Sequence, residues 1–252
     1  MHTLTLPRLH WGSKSALKTA LMVHGLGSSA ATCWQVMEAL ASDGWSATAV
    51  DLRGHGSAPR ASTYAITDFA SDLEATTPEG STTWGLVIGH SIGAASAVVA
   101  SSRKPTWAKQ LVLIDPALSL DDATRLQVLE NQRLGHSTQT VEDVAALNPQ
   151  WHPLDWELRI QANRSASLFA LERAVHDNDP WDVTDYATSV SVPTHVLGGE
   201  QGLGSMFSGD YATDMLAANE NFSYEVIEGA GHSVHRDKPA ETMAALRAFL
   251  VA

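Results

Sequence analysis

The sequence predicts an α/β fold: a mostly parallel sheet with helices on both faces. Three observations carry that expectation. Short apolar, β-branched runs recur along the 252 residues: TALMV (19–23), SATAV (46–50), WGLVI (84–88), QLVLI (110–114), PTHVL (193–197) and YEVI (224–227). Between most of them apolar residues fall at helical spacing, as from Ile66 to Leu73, Ala94 to Ser101 and Ala240 to Leu250. Gly and Pro punctuate the runs, as expected where buried strands alternate with helices. In such a sheet, sites form beyond the carboxyl ends of the strands. Every motif considered below follows one of these runs.

The rhythm breaks once. From 117 to 190 no strand-like run appears, and the text is helical and polar, with Trp151, Trp156 and Trp181. The expected organisation is therefore a core of residues 1–116 and 191–252, with 117–190 inserted as a helical cap. Extra helices on one sheet face are the plainer alternative.

Composition narrows the function classes. Twenty-eight acidic residues against 16 Lys and Arg give a net charge of −12, and no Lys/Arg cluster offsets it locally. Such a surface repels phosphate backbones and anionic lipid, so the expected partner is a small-molecule substrate, not nucleic acid or a membrane. The single cysteine, Cys33, excludes an intrachain disulfide. The opening MHTLTLPRLHWGSK lacks a basic patch followed by an apolar segment. No apolar run approaches the roughly 18 residues of a membrane span. A cytoplasmic location is the expectation; the oligomeric state is open.

The first glycine loop admits two readings. Gly25-x-Gly27-x-x-Ala30, after the run 19–23, formally matches a dinucleotide fingerprint, and Asp51 follows the next run. The alternative is a loop that offers backbone N–H groups to a developing oxyanion.

VIGHSIGAAS (87–96) favours the second. Gly89-His90-Ser91-Ile92-Gly93 is G-x-S-x-G between a strand and a helix, the context of a nucleophile elbow. A serine on so sharp a turn needs very small residues at −2 and +2, and Gly89 and Gly93 supply them. Its hydroxyl also needs a base. His232, in the Gly-rich turn of VIEGAGHSVHRDKP (226–239), is placed for that role, and Pro239 opens the last helix. A zinc reading of His232 with His235 lacks a third ligand, so no metal is expected. The acid that orients the imidazole should follow the preceding strand. Glu200 is the first carboxylate there; Asp115, ending LVLIDP, and Asp210 compete with it. Ile92 N–H and Leu26 N–H then form the expected oxyanion hole, and His24 orders the loop.

With these motifs in place the chain resembles the α/β-hydrolase family over nearly its whole length. His24-Gly25 is similar to the family's oxyanion signature, and Asp51 to Ala58 (DLRGHGSA) to its D-x-x-G-x-G-x-S segment. Gly89–Gly93 is similar to its elbow, and Gly231-His232 to its terminal histidine turn. The resemblance implies an eight-stranded, mostly parallel sheet with a helical cap inserted after the sixth strand. Two departures stand out: Ala58 where the family has Ser, and Glu200 where its acid is usually Asp.

A Ser nucleophile favours hydrolysis of a carboxylic ester, thioester or lactone through an acyl-enzyme on Ser91, with no cofactor. Carbon–carbon bond hydrolysis is an alternative. Ser233 stands where relatives of that kind often carry Trp, but Arg159, Arg164 or Arg173 could hold a substrate carboxylate. A ligand-sensing protein with little turnover is another. Trp151, Trp156, Trp181 and Met206 are the candidate pocket residues.

Overall fold

The computed structural model describes residues 3–251. Seven strands form one sheet: β1 (Arg8–Trp11), β2 (Lys18–Val23), β3 (Trp45–Val50), β4 (Leu86–His90), β5 (Leu111–Ile114), β8 (Thr194–Gly198) and β9 (Phe222–Val226). Their order is β1-β3-β2-β4-β5-β8-β9, and every pairing is parallel except β1 with β3. The six apolar runs read from the sequence are these six parallel strands.

Their residues alternate between two cores, as the two-residue period of a strand requires. Leu21, Val23, Val87, Leu111 and Leu113 join one cluster; Ala20, Met22, Leu86, Ile88, Val112 and Ile114 join the other. Helices α2 (Ile66–Glu74), α3 (Ile92–Arg103), α8 (Thr184–Thr188) and α9 (Gly209–Ala218) cover the first face. Helices α1 (Trp34–Ser42) and α11 (Pro239–Val251) cover the second, and a single turn, α10 (Val234–Asp237), precedes α11. Burial on both faces explains why the inner strands β2, β3, β4, β5 and β8 read as apolar runs; β1 and β9, at the two edges, are largely exposed.

The sheet has seven strands, not the eight that the family resemblance implied. The N-terminal edge carries only β1, and the ladder stops at Pro7, which has no N–H to extend it. The insertion consequently follows the fifth sheet strand instead of a sixth.

Between β5 and β8 the chain makes a short antiparallel pair, β6 (Ser119–Leu120) with β7 (Trp181–Asp182). Four helices lie between them: α4 (Asp122–Ser137), α5 (Val141–Leu147), α6 (Pro153–Ser165) and α7 (Leu168–His176). Each begins at a side-chain cap. Asp121 Oδ1 accepts from Thr124 N at 2.7 Å, Thr140 Oγ1 from Asp143 N at 3.2 Å, His152 Nδ1 from Leu154 N at 3.1 Å, and Ser167 Oγ from Ala170 N at 3.4 Å. Helix α8, although inside 117–190, packs on α3 and α9 at the sheet's flank.

Candidate active site

The carboxyl ends of β2, β4, β5, β8 and β9 meet beneath the inserted helices and enclose a cavity of about 430 Å³. Ser91, directly after β4, has φ 55° and ψ −121°, a conformation that costs a non-glycine residue roughly 1–3 kcal/mol. The two flanking glycines make it possible. A Cβ on Gly93 would lie 2.4 Å from His24 O, and one on Gly89 would lie 2.5 Å from Ala94 Cα. Helix α3 starts at the next residue and aims its N-terminal amides and dipole at the serine.

Asp115 closes β5 with φ 40° and is fully buried. Its carboxylate accepts from His232 Nδ1 at 2.6 Å, Ser205 Oγ at 2.5 Å, Met206 N at 2.9 Å and Phe207 N at 3.4 Å. Glu200, the carboxylate expected to hold His232, does not touch it. Its Oε1 accepts from Gly229 N at 2.5 Å and pins the loop after β9. The reason lies in the path of the chain after β8. That loop folds back so that residues 205–207 donate to Asp115, leaving its own carboxylate to face the neighbouring loop. Asp210, the other competitor, is exposed in the first turn of α9.

With Nδ1–H committed to Asp115, His232 has Nε2 left for proton transfer. Ser91 and His232 line the same cavity; among the described residues the Ser91 hydroxyl makes no hydrogen bond, to His232 included. Leu26 lines the cavity, and neither Leu26 N nor Ile92 N donates a hydrogen bond among the described residues. These are the two amides expected to receive an oxyanion.

The Gly25–Gly27 loop is held by two histidines. His24 Nε2 accepts from Leu52 N at 3.1 Å, and its Nδ1 donates to Gly25 O at 2.8 Å. His55 Nε2 accepts from Gly27 N at 3.1 Å, and its Nδ1 donates to Arg53 O at 2.9 Å. Each ring therefore uses one protonated and one bare nitrogen, which only the neutral form has. Burial agrees, pushing His24 down to about 4 and His55 to about 3. Asp51 bears on the dinucleotide reading of the same loop. Its carboxylate accepts from Ala30 N at 2.7 Å and Ser57 N at 2.8 Å, so it is occupied in joining two loops and is not presented to a ribose.

Of the expected pocket residues, Trp151, Trp181 and Met206 line the cavity. Trp156 does not. It packs with Val144, Trp151 and Ile160 inside the insertion, and its Nε1 donates to Asn148 O at 2.9 Å. Of the three arginines singled out in the insertion, Arg159 reaches the cavity; Arg164 binds Gln139 O, and Arg173 pairs with Asp177. Sequence reasoning missed His55, Arg236 and His90's contact with His232. Arg236 sits in HRDKP, a charged run that resembles a solvated turn, yet it is only 5% exposed and lines the cavity. His90 Nε2 donates to His232 O at 3.0 Å and supports the histidine loop. Among the described residues no cluster of three or more His, Cys, Asp or Glu is placed to hold a metal ion. No helix among them is long and apolar enough to cross a membrane.

A strained serine between strand and helix, at the carboxyl edge of a parallel sheet and beside a histidine–aspartate pair, defines a hydrolase of α/β architecture. Comparison with known proteins agrees: the chain belongs to the alpha/beta hydrolase family, whose model matches residues 20–246. It is 25% identical over 253 aligned residues to 2-(acetamidomethylene)succinate hydrolase of Mesorhizobium japonicum, covering 91% of this chain and 87% of that protein. Among solved structures it superposes on E-2-(acetamidomethylene)succinate hydrolase with a TM-score of 0.85 at 23% identity, over 99% of this chain and 96% of the other. It also superposes on the N-formylmaleamic acid deformylase of Pseudomonas putida S16 with a TM-score of 0.78 at 22% identity, over 95% and 94% of the two chains.

Proposed function

We propose that the protein is a serine hydrolase that cleaves an ester- or amide-type acyl bond of a small molecule through an acyl-enzyme on Ser91. The observation that carries this is the bond from His232 Nδ1 to the buried Asp115 carboxylate, on the wall of the cavity that also holds Ser91. In this reading Asp115 fixes the imidazole tautomer and stabilises its charged form. His232 Nε2 takes the Ser91 proton as the hydroxyl attacks the carbonyl carbon, then returns it to the leaving group. Leu26 N–H and Ile92 N–H stabilise the oxyanion; one such donor is typically worth about 10²–10³ in rate. Water, deprotonated by His232, then releases the acid and restores Ser91. The names of the two relatives, a hydrolase of an acetamido compound and a deformylase of an N-formyl compound, are the reason the reading includes an acyl–nitrogen bond beside an ester.

The test is turnover of p-nitrophenyl butyrate by the purified protein and by Ser91→Ala. Hydrolysis that disappears in Ser91→Ala supports the reading. Hydrolysis that survives the substitution assigns the activity elsewhere.

A further inference from the structure

We infer that Arg159 and Arg236 form a carboxylate-binding subsite on the wall of the Ser91 cavity, so that the compound cleaved carries a free carboxylate near its scissile carbonyl. The inference rests on the hydrolase reading above for the identity of the reacting carbon, and on its own observations for the charge.

The first observation is the charge of the wall. In a chain with 28 acidic and 16 basic residues, the cavity lining contains Arg159 and Arg236 and no Asp or Glu. The second is that both guanidinium groups are largely unspent. Arg159 is partly buried and donates from Nη1 to Gly27 O at 3.1 Å; Arg236 is 5% exposed and donates from Nη2 to Ser28 Oγ at 3.0 Å. Each group has five N–H donors. Neither forms a salt bridge among the described residues.

Two carboxylates do lie near enough to influence Arg236, but both are engaged elsewhere. Asp155 accepts from Trp34 Nε1 at 2.9 Å and Gln35 Nε2 at 2.6 Å. Asp237 accepts from Gln150 Nε2 at 2.9 Å, Trp151 Nε1 at 2.6 Å and Gly231 N at 2.8 Å. Burial brings Arg159 down to about 10, and the like charge of Arg236 adds to that. Two cations close enough for one to lower the other on a largely buried wall are costly, and a bound anion relieves the cost.

Position then sets the substrate. Gly27 and Ser28, which receive the two arginines, directly follow Leu26. A carboxylate gripped by the two forks therefore lies a few bonds from a carbonyl oxygen at Leu26 N–H. The Trp151 ring, whose centroid is 5.0 Å from the Arg236 guanidinium carbon, stacks against that side chain on the cavity wall. A guanidinium fork meets a carboxylate through paired N–H donors, a geometry that lysine does not reproduce.

The experiment compares monoethyl succinate with ethyl butyrate, equal in chain length and different in charge, by pH-stat titration. The expected kcat/KM ratio favours the succinate ester by about 10–100-fold, the range of charge-assisted hydrogen bonds. Arg159→Met and Arg236→Met each lower that ratio about tenfold or more, and Arg236→Lys restores only part of it. With p-nitrophenyl butyrate as reporter, succinate competes on the unmodified protein and succinamide does not, which covers the case of a variant that fails to fold. A ratio near one, or inhibition by inorganic phosphate stronger than by succinate, overturns the carboxylate assignment while leaving the hydrolase reading intact. If no ester is turned over, the ester half of the hydrolase reading fails and the subsite is read by binding. Calorimetric binding of succinate that is lost in Arg236→Met then upholds the subsite, and absence of binding overturns it.

Discussion

Asp115 and Glu200 stand at the ends of neighbouring strands, and only Asp115 reaches the histidine. The difference is made by donors. Asp115 receives Ser205, Met206 and Phe207 as well as His232, so its charge is stabilised without solvent; Glu200 receives Gly229 N. Replacing Asp115 by Asn keeps the shape but turns an acceptor into a donor toward Nδ1, which favours the wrong tautomer. Asp115→Asn is expected to lower kcat on p-nitrophenyl butyrate by about 10⁴. Glu200→Gln, which leaves the pair of Asp115 and His232 intact, is expected to lower it less than about tenfold. Steady-state kinetics on the two variants checks the order, and an equal or reversed order contradicts the assignment.

A buried carboxylate fastens the inserted helices to α1. Asp155, on α6, is 2% exposed and joins Trp34 and Gln35 of α1. Hydrogen bonds to a charged acceptor are worth about 1.5–3 kcal/mol each, and removing this one strands the Trp34 indole N–H. Asp155→Ala is expected to destabilise the protein by about 2–4 kcal/mol in urea unfolding; a loss below about 0.5 kcal/mol contradicts the role given to this contact. The same scale shows what the sequence made legible. The five inner parallel strands are buried on both faces along most of their length and read as apolar runs; β9, at the edge and largely exposed, was visible through Tyr224 and Val226. Strand β1 was not, because RLHW at the sheet edge is largely exposed. That Ser91 and His232 come to one cavity was legible because an elbow and a terminal turn leave glycine signatures. Which carboxylate meets His232 was not, because it depends on how residues 199–207 fold back, which no spacing records. Arg236 was hidden for a similar reason: it is buried against partners far away in sequence, among them Trp151, 85 positions earlier, in the insertion.

For the molecule as a whole, the buried histidines tie stability to pH. His24 and His55 titrate near 6.5 when unfolded but near 4 and 3 when folded. Above pH 6.5 neither state takes up these protons, and the stability is fully present. Below it the unfolded chain is protonated first, so stability falls by about 1.4 kcal/mol per pH unit per histidine, about 2 kcal/mol each by pH 5. His90 and His235, both lowered by burial, act with the same sign. Urea unfolding at pH 7.5, 6 and 5 is expected to show the midpoint falling before carboxylates titrate; a flat profile contradicts the neutral tautomers that hold the Gly25–Gly27 loop.

The proposed chemistry needs one serine made reactive by its setting. Incubation with a fluorophosphonate, followed by intact-mass and peptide analysis, reads that property directly. The expected result is one phosphonyl group per chain, located on Ser91 and absent from His232→Ala. A folded protein that takes up no label, or takes it up elsewhere, would contradict it.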